Sequence, residues 1–348
     1  MWSVEFTDRN NFRVLTQLRF APERFACAAM GGPVWAEINV SGDAMELLQL
    51  LGWLRYAVLI RNPMGEPVWW GYVDGVVVQG DAVSYEVALE AMANRVAVAY
   101  SFVAPGSQTV GTRETTGWQQ NDQSINEYGI KEMLLSVDGA TTGQAEQIRD
   151  RFLDEHRLPL LVARADGGTK LICAGWWQTL AWRYYANAAT NGVETTLQIA
   201  DILSDVGQFF TGVDVVNASG IVASEYRSGD NTAMDVILQL LRSGTADGAQ
   251  LWATVTPERR LRILAEPSAQ QARLKWEKGF VNQMGNRLSA GMLPVGEWVS
   301  QDLPVISAVV GMSPLFLVEA EFDVQQNVIT PTWRGASSAW DLRQIVEG

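Results

Sequence analysis

The chain has a single histidine, His156, in Asp154-Glu155-His156-Arg157 at the end of an expected helix. An imidazolium there favours the negative end of the helix dipole. General acid–base work needs a positioned partner, which the local sequence does not supply, and one histidine cannot build a His-rich metal site. Asn217-Ala218-Ser219-Gly220 lacks the first glycine of a nucleophile elbow, so no serine hydrolase is expected. Asp201 and Asp205 lie four apart on an expected helix, and Glu319 and Glu321 alternate along an expected strand, so each pair can share a face. Such pairs are common in an acidic chain and work only in a suitable cleft. Solvated surface is the expectation for both, with glycoside hydrolysis as the alternative. There is no phosphate-cradling loop or dinucleotide fingerprint. Gly31-Gly32-Pro33 and Gly42 read as turn punctuation, since neither lies at a strand-to-helix phosphate site. The densest basic cluster, Arg259-Arg260-Leu261-Arg262, sits on an expected hairpin and reads as a solvated edge or a partner contact. Cys27 and Cys173 have neither metal-ligand spacing nor the density of a disulfide scaffold, which points to a reduced, cytoplasmic origin. No catalytic, cofactor-binding or metal-binding residue is assigned, and no enzymatic activity or cofactor is expected.

Composition agrees with a folded, non-enzymatic chain. The 348 residues are 47% hydrophobic and 19% charged, away from the disordered range. That length exceeds one ordinary core and implies two or three compact units. The formal net charge of −13 opposes a phosphate-tracking surface, which needs clustered Lys and Arg, so sequence-specific nucleic-acid binding is not expected. Met1 to Phe6 lacks the basic and apolar segments of a secretory signal. The apolar stretch Ile306 to Val318 is too short to span a bilayer and contains Pro314, so membrane insertion is not expected either. Fourteen tryptophans, including Trp69-Trp70 and Trp176-Trp177, serve cores and interfaces equally well, and their number favours extensive subunit contact.

These residues must be carried by a helix-then-hairpin plan that recurs three times. The first copy opens at Asp43 with Glu46 at the capping-box position, aligns Leu47, Leu48, Leu51 and Leu54 on a core-facing helix, and continues as strands Tyr56 to Arg61 and Pro67 to Val73 around the turn Asn62-Pro63-Met64-Gly65. The second opens at Thr141 with Gln144, carries Ala145, Ile148, Phe152 and Leu153, and continues as Leu158 to Ala163, the turn Asp166-Gly167-Gly168 and Lys170 to Trp177. The third opens at Thr232 with Asp235, spaces Met234, Ile237, Leu238 and Leu241 at helical intervals, and continues as Leu251 to Thr256, a turn at Pro257-Glu258 and Arg260 to Leu264.

Tyr85 to Leu89 and Thr196 to Ile199 recur after the two Trp pairs, at an offset that fits a duplicated domain. Leu51 and Phe152 would then be equivalent, each costing about 2 to 5 kcal/mol on truncation to Ala if buried. Pro105-Gly106-Ser107 marks a boundary, and Gln108 to Gln123 reads as an exposed loop. From Phe280 onward, as in Gly291 to Val299, strand and turn chemistry dominates. The fold class is α+β, strand-dominated. Residues 1–104 and 105–225 form two related units, and 226–348 a helix-hairpin and C-terminal β region, with pieces able to interleave.

Asn126-Glu127-Tyr128-Gly129-Ile130-Lys131-Glu132 before the Thr141 helix, the aromatic run Gly175 to Tyr185, the third helix with its Trp252 to Leu264 hairpin, and Val68 to Gly75 together resemble the tail hub proteins of long-tailed phages and prophages. The resemblance runs diffusely over most of the chain and rests on the order of its segments. It implies tandem β-barrel-like tail-hub domains, two per subunit, so that a homotrimer offers six similar positions to a six-fold tail tube. It further implies a structural subunit of the virion tail, made in the host cytoplasm. Such a subunit would surround the DNA exit channel and join the tail tube or distal tail protein to tip or fibre proteins, with the tape-measure protein a further partner. The chain stops at Gly348 without a fibre or peptidoglycan-cleaving extension, so no receptor-binding or wall-degrading role is expected of it. The alternatives are a hexameric distal tail ring protein and a carbohydrate-binding or carbohydrate-cleaving tail protein, the last requiring a Trp-lined cleft with paired carboxylates. Lining a DNA channel with surplus Asp and Glu would keep the duplex from adhering, because like charges repel.

Overall fold

The computed structural model describes residues 2–80, 83–102, 111–164, 168–187, 193–216, 220, 231–245 and 251–265, together with 272–274, 288–289, 306–310, 313–326 and 328–335. The expected segments at Asn217 to Ser219 and Gly291 to Val299 and the turn Asp166-Gly167 lie outside them. The chain opens with β1 (Ser3–Thr7), β2 (Arg19–Ala28), β3 (Gly32–Ser41), α1 (Ala44–Gln49), β4 (Ala57–Arg61), β5 (Pro67–Gln79) and β6 (Ser84–Ala88). Then come β7 (Arg95–Ser101), β8 (Arg113–Thr115), β9 (Gln119–Gln120), α2 (Asp122–Tyr128), β10 (Glu132–Asp138), α3 (Thr142–His156), β11 (Leu160–Arg164) and β12 (Lys170–Ala174). The rest are α4 (Thr195–Val206), β13 (Gly212–Val216), α5 (Ala233–Arg242), β14 (Leu251–Val255), β15 (Arg260–Ala265), β16 (Ala272–Leu274), β17 (Leu288–Ser289), β18 (Ile306–Val310), β19 (Ser313–Asp323) and β20 (Val328–Gly335). Short 3-10 helices cover Leu50–Gly52 and Trp176–Trp182.

The α+β, strand-dominated class holds. Among the described residues the strands form one open 13-stranded sheet and two small ones. The large sheet runs β1-β4-β5-β12-β3-β2-β19-β18-β16, with β6 and β11 beside the far half of β5, and β20 and β17 beside β19. It takes strands from all three expected stretches, which interleave. Its spine is β5, an apolar run whose residues Val68 to Val73 are buried without alternation, the pattern of a strand covered on both faces. Trp69 and Trp70 point to opposite faces and both are buried. At roughly 200 Å² of apolar surface each, such side chains contribute about 5 kcal/mol apiece before entropy is counted. The tryptophans mainly serve the interior: Trp53, Trp176, Trp177, Trp182 and Trp252 are buried as well.

Of the three helix-hairpin copies, the third forms as read. Thr232 and Asp235 close a reciprocal capping box, and β14 and β15 pair antiparallel. The buried face of α5 is Ala233, Val236, Ile237, Leu240 and Leu241, rotated slightly from the expected one. The first copy has its β4–β5 hairpin, but α1 is short and buries nothing; Leu50, Trp53 and Leu54, past its end, are inside. Asp43 caps it through the Met45 amide, without the capping box expected with Glu46.

The second copy has its capping box at Thr141 and Gln144 but no hairpin. β11 pairs with β6, whereas β12 inserts between β5 and β3. Phe152 is half-buried and stacks on His156 at 3.9 Å between centroids. The proposed recurrence also matches unlike elements, since Tyr85 to Ala88 lies in a strand and Thr196 to Ile199 in a helix. Nor does Lys170 to Trp177 remain extended. A Cβ on Gly175 would lie 1.7 Å from the Pro33 carbonyl oxygen, so the backbones touch there, the strand ends at Ala174, and the aromatic run coils into a 3-10 helix that buries Trp176, Trp177 and Trp182.

The smaller sheets attach by specific contacts. β7 pairs parallel with β10 under α3, over a small core of Val98, Tyr100 and Ala145. Glu132, almost wholly buried, ties this layer to the aromatic 3-10 helix: it meets Arg95 at 3.0 Å and Arg183 at 3.3 Å and accepts the Tyr184 amide. The sheet β13-β15-β14, covered by α4 and α5, is joined to the large sheet at Gly31 and Gly32. The Gly31 amide donates to the Ala253 carbonyl at 2.7 Å, and Trp70 Nε1 donates to the Val255 carbonyl at 2.9 Å. No helix among the described residues is long and apolar enough to cross a membrane.

Gly32 has a φ of +80°, and a Cβ there would sit 2.5 Å from Thr254 Oγ1; Gly65 has a φ of +89° in open space. Gly32→Ala is expected to cost about 2 to 4 kcal/mol from overpacking and left-handed strain combined, against about 1 kcal/mol for Gly65→Ala. Urea unfolding of the two variants measures the difference.

Candidate functional site

Three tight turns share one hydrogen-bond design. In Asp8–Phe12, Asn62–Glu66 and Thr256–Arg260, the first amide donates to the fifth carbonyl and the fourth amide donates to the first carbonyl. The fourth residue is left-handed each time: Asn11 at 65°, Gly65 at 89° and Arg259 at 62°. Glycine takes that conformation freely, whereas a non-glycine residue pays about 1 to 2 kcal/mol. Arg55, at 65°, is the third left-handed non-glycine residue among those described, held where its amide donates to the Val73 carbonyl. Asn11, Arg55 and Arg259 all line one cleft, and backbone strain of this kind clusters at functional sites.

The cleft has a volume of about 300 Å³ and lies between the large sheet, the aromatic 3-10 helix and the β14–β15 turn. Asp8, Arg9, Ala57, Trp176 and the segment Gln208 to Thr211 complete its wall. A second hollow of about 200 Å³ continues from it, sharing Asn11, Ala57, Trp176 and Arg259. Arg9 is fully engaged: it pairs with Glu127 at 2.9 Å and donates to the carbonyls of Leu54 and Gly52. Arg55 donates through Nε to the Glu127 carbonyl at 3.2 Å and lies 5.5 Å over the Phe209 ring. Arg259 lies 5.4 Å over Trp176, with Asn11 Oδ1 at 3.5 Å. Burial first, then repulsion from Arg9 and Arg259, pulls the Arg55 guanidinium down to about 10, with Glu127 opposing. Burial also lowers Arg259. Asp8 is occupied in its own turn, accepting the amides of Asn10 and Phe12. The cleft is therefore cationic and aromatic, a wall for an anion.

The residues read from the sequence lie elsewhere, except one. His156 ends α3, its Nδ1 donating to the Phe152 carbonyl at 3.0 Å. Asp201 is exposed on α4, and Asp205, at the rim of a separate groove, accepts from Asn187. Glu321 faces Arg24 at 3.8 Å, and Glu319 is exposed. Cys27 and Cys173 are buried and form no disulfide, and burial pushes the Cys173 thiol well up. Among the described residues no group of three or more His, Cys, Asp or Glu could hold a metal. The basic cluster divides: Arg260 pairs with Asp214 at 2.7 Å, while Arg259 turns into the cleft. Arg9, Arg55 and Asn11 went unread, since nothing in the sequence around them marks a cleft; Asn11 and Arg55 are set apart only by their left-handed backbone.

A second feature is an exposed apolar edge. β11 pairs only with β6 among the described residues, and Leu160, Leu161 and Val162 are 65%, 54% and 40% exposed. Adjacent residues of a strand face opposite sides, so both faces of this edge are apolar. An exposed apolar edge is a template for pairing with another chain.

No protein-family model and no curated protein matches the sequence. Several solved structures are similar in fold. A 43 kDa tail protein of prophage MuSo2 from Shewanella oneidensis is 9% identical, with 95% of this chain and 96% of that one covered at a TM-score of 0.45. A tail protein from Neisseria meningitidis is 8% identical, with 96% of each chain covered at a TM-score of 0.46. An Escherichia coli component of the type VI secretion system, described as structurally similar to the T4 tail proteins gp27 and gp5, is 7% identical, with 97% of this chain and 77% of that one covered at 0.39.

The Arg9–Glu127 pair sets the charge beside the cleft. Glu127→Gln is expected to lower stability by about 1 kcal/mol at low ionic strength, because Arg9 then faces Arg55 uncompensated. The loss should shrink near 1 M salt, where the Debye length falls to about 3 Å. Urea unfolding at the two ionic strengths checks both statements.

Proposed function

We propose that this chain is a structural subunit of a phage tail hub, built into the distal end of the tail. The carrying observation is the apolar edge strand β11: Leu160, Leu161 and Val162 stand in solvent although the fold places seven tryptophans inside, as expected of a subunit whose sheet is completed by a neighbour. The hub position rests on the sequence resemblance from Val68 through Leu264. In this reading three copies form a ring at the end of a six-fold tube, and the subunit joins the tube or distal tail protein to tip or fibre proteins. The chain acts without cofactor or catalysis, and the excess of acidic residues lines the DNA path.

Native mass spectrometry of the full chain should give three copies, and Leu161→Lys, which puts a charge on the β11 edge, should shift the population to monomer without lowering the melting temperature. A six-copy ring with one tube-contacting unit per chain would replace the trimer with the distal tail ring reading. A reconstruction whose inner wall is neutral or basic would separate the acidity from DNA passage.

A further inference from the structure

We propose that the cleft between Arg55 and Arg259 binds a carboxylate attached to an apolar or aromatic body. Three observations carry this independently of the tail reading. First, the donors are open. Among the described residues the terminal nitrogens of Arg55 have no hydrogen-bond partner, and Arg259 has only Asn11 Oδ1, at 3.5 Å. A guanidinium presents its donors in a planar fork that matches a carboxylate. Second, the charges leave room for one anion. Arg9, Arg55 and Arg259 bring three positive charges against the two negative ones of Asp8 and Glu127, a net of one positive charge. That balance suits a singly charged carboxylate better than a phosphate dianion. The flanking rings of Trp176, Phe209 and Phe210 supply an apolar wall for the attached body.

Third, the strain is placed where a side chain is wanted. The same five-residue turn is built with glycine at Gly65, where the surroundings are open, so neither Asn11 nor Arg259 is required by the turn itself. Holding side chains left-handed at both cleft turns, and at Arg55 between them, is a cost to stability whose return is the set of donors facing the cleft.

Isothermal titration of the full chain with sodium benzoate, acetate and inorganic phosphate tests the site. Benzoate should bind saturably, acetate more weakly, and phosphate more weakly than benzoate. Arg55→Gln and Arg259→Gln should each weaken benzoate roughly tenfold or more, since each removes one fork. Arg262→Gln, on the same hairpin but outside the cleft, should leave it unchanged. Asp8→Asn, which keeps the turn's acceptor but removes its charge, should tighten benzoate and so tests the site even if an arginine variant misfolds. Absence of saturable benzoate binding, tighter binding of phosphate than benzoate, or affinity indifferent to both arginine substitutions would overturn the proposal. Sedimentation with saturating benzoate identifies the natural source. Dissociation of an oligomer assigns the carboxylate to an acidic side chain of a neighbouring copy, and unchanged mass assigns it to a free organic acid. The stoichiometry without benzoate separately reports on the hub reading.

Discussion

The close approach of two backbones at Gly31 and Gly32 governs how the rest of this molecule is arranged. Gly31 donates to Ala253, and a side-chain carbon on Gly32 would collide with Thr254, so the glycine at 32 lets β14 press against the start of β3, while a side-chain carbon on Gly31 would strike the Trp177 ring. Trp70 then reaches from β5 to the Val255 carbonyl, locking the β14–β15 hairpin over the large sheet. With that hairpin fixed, its turn delivers Arg259 to the face of Trp176, opposite the turn that carries Asn11 and the bend that carries Arg55. The contact between layers thus fixes the Arg259 side of the cationic cleft.

The two halves of the interior are held by different physics. Around β5 and the aromatic 3-10 helix the binding force is apolar burial, with Trp182 packed edge to face on Tyr72 and Phe209, and Trp176 tilted against the same two rings. Beside it, the β7–β10 layer is joined through Glu132, a carboxylate out of reach of water between Arg95 and Arg183. A buried charge of this kind is tolerated because it is paired on both sides and accepts a backbone amide as well. Apolar packing is forgiving of direction; the Glu132 cluster is not, and it sets the angle at which α2 and β10 meet the aromatic run.

Local chemistry was legible in the sequence wherever a few neighbouring residues decide the outcome. The caps at Thr141 and Thr232, the turns at Asn62 to Gly65 and Pro257-Glu258, the helical spacing of Ile237 and Leu241, and the surface placement of Asp201 follow from short-range rules, and the structure has them. What could not be read is partnership at a distance. β11 and β12 look like a hairpin because they are close in sequence, yet β12 is an equally good partner for β5 and β3, and Leu171, between Val76 and Ile38, is buried only there. The aromatic run Trp176 to Trp182 looked extended because nothing local shows Gly175 meeting Pro33. The cleft escaped notice for the same reason: its residues come from turns at 8–12, 55 and 256–260, and a left-handed arginine leaves no mark in the sequence.

The insertion of β12 between β3 and β5 also governs the order in which the protein can become whole. As the chain leaves the ribosome, β3 and β5 emerge early with facing edges open, and the strand that joins them arrives some 5 to 20 s later at roughly 5 to 20 residues per second. β2 waits longer still, since β19, which covers it, follows far later in the chain than β12. Sheets assembled from such distant pairings form slowly. Where nascent chains with open edges lie beside one another at high concentration, cross-pairing between copies competes with completion. Synthesis rate and chaperone supply therefore bear on the yield of this protein as directly as the stability of its finished fold.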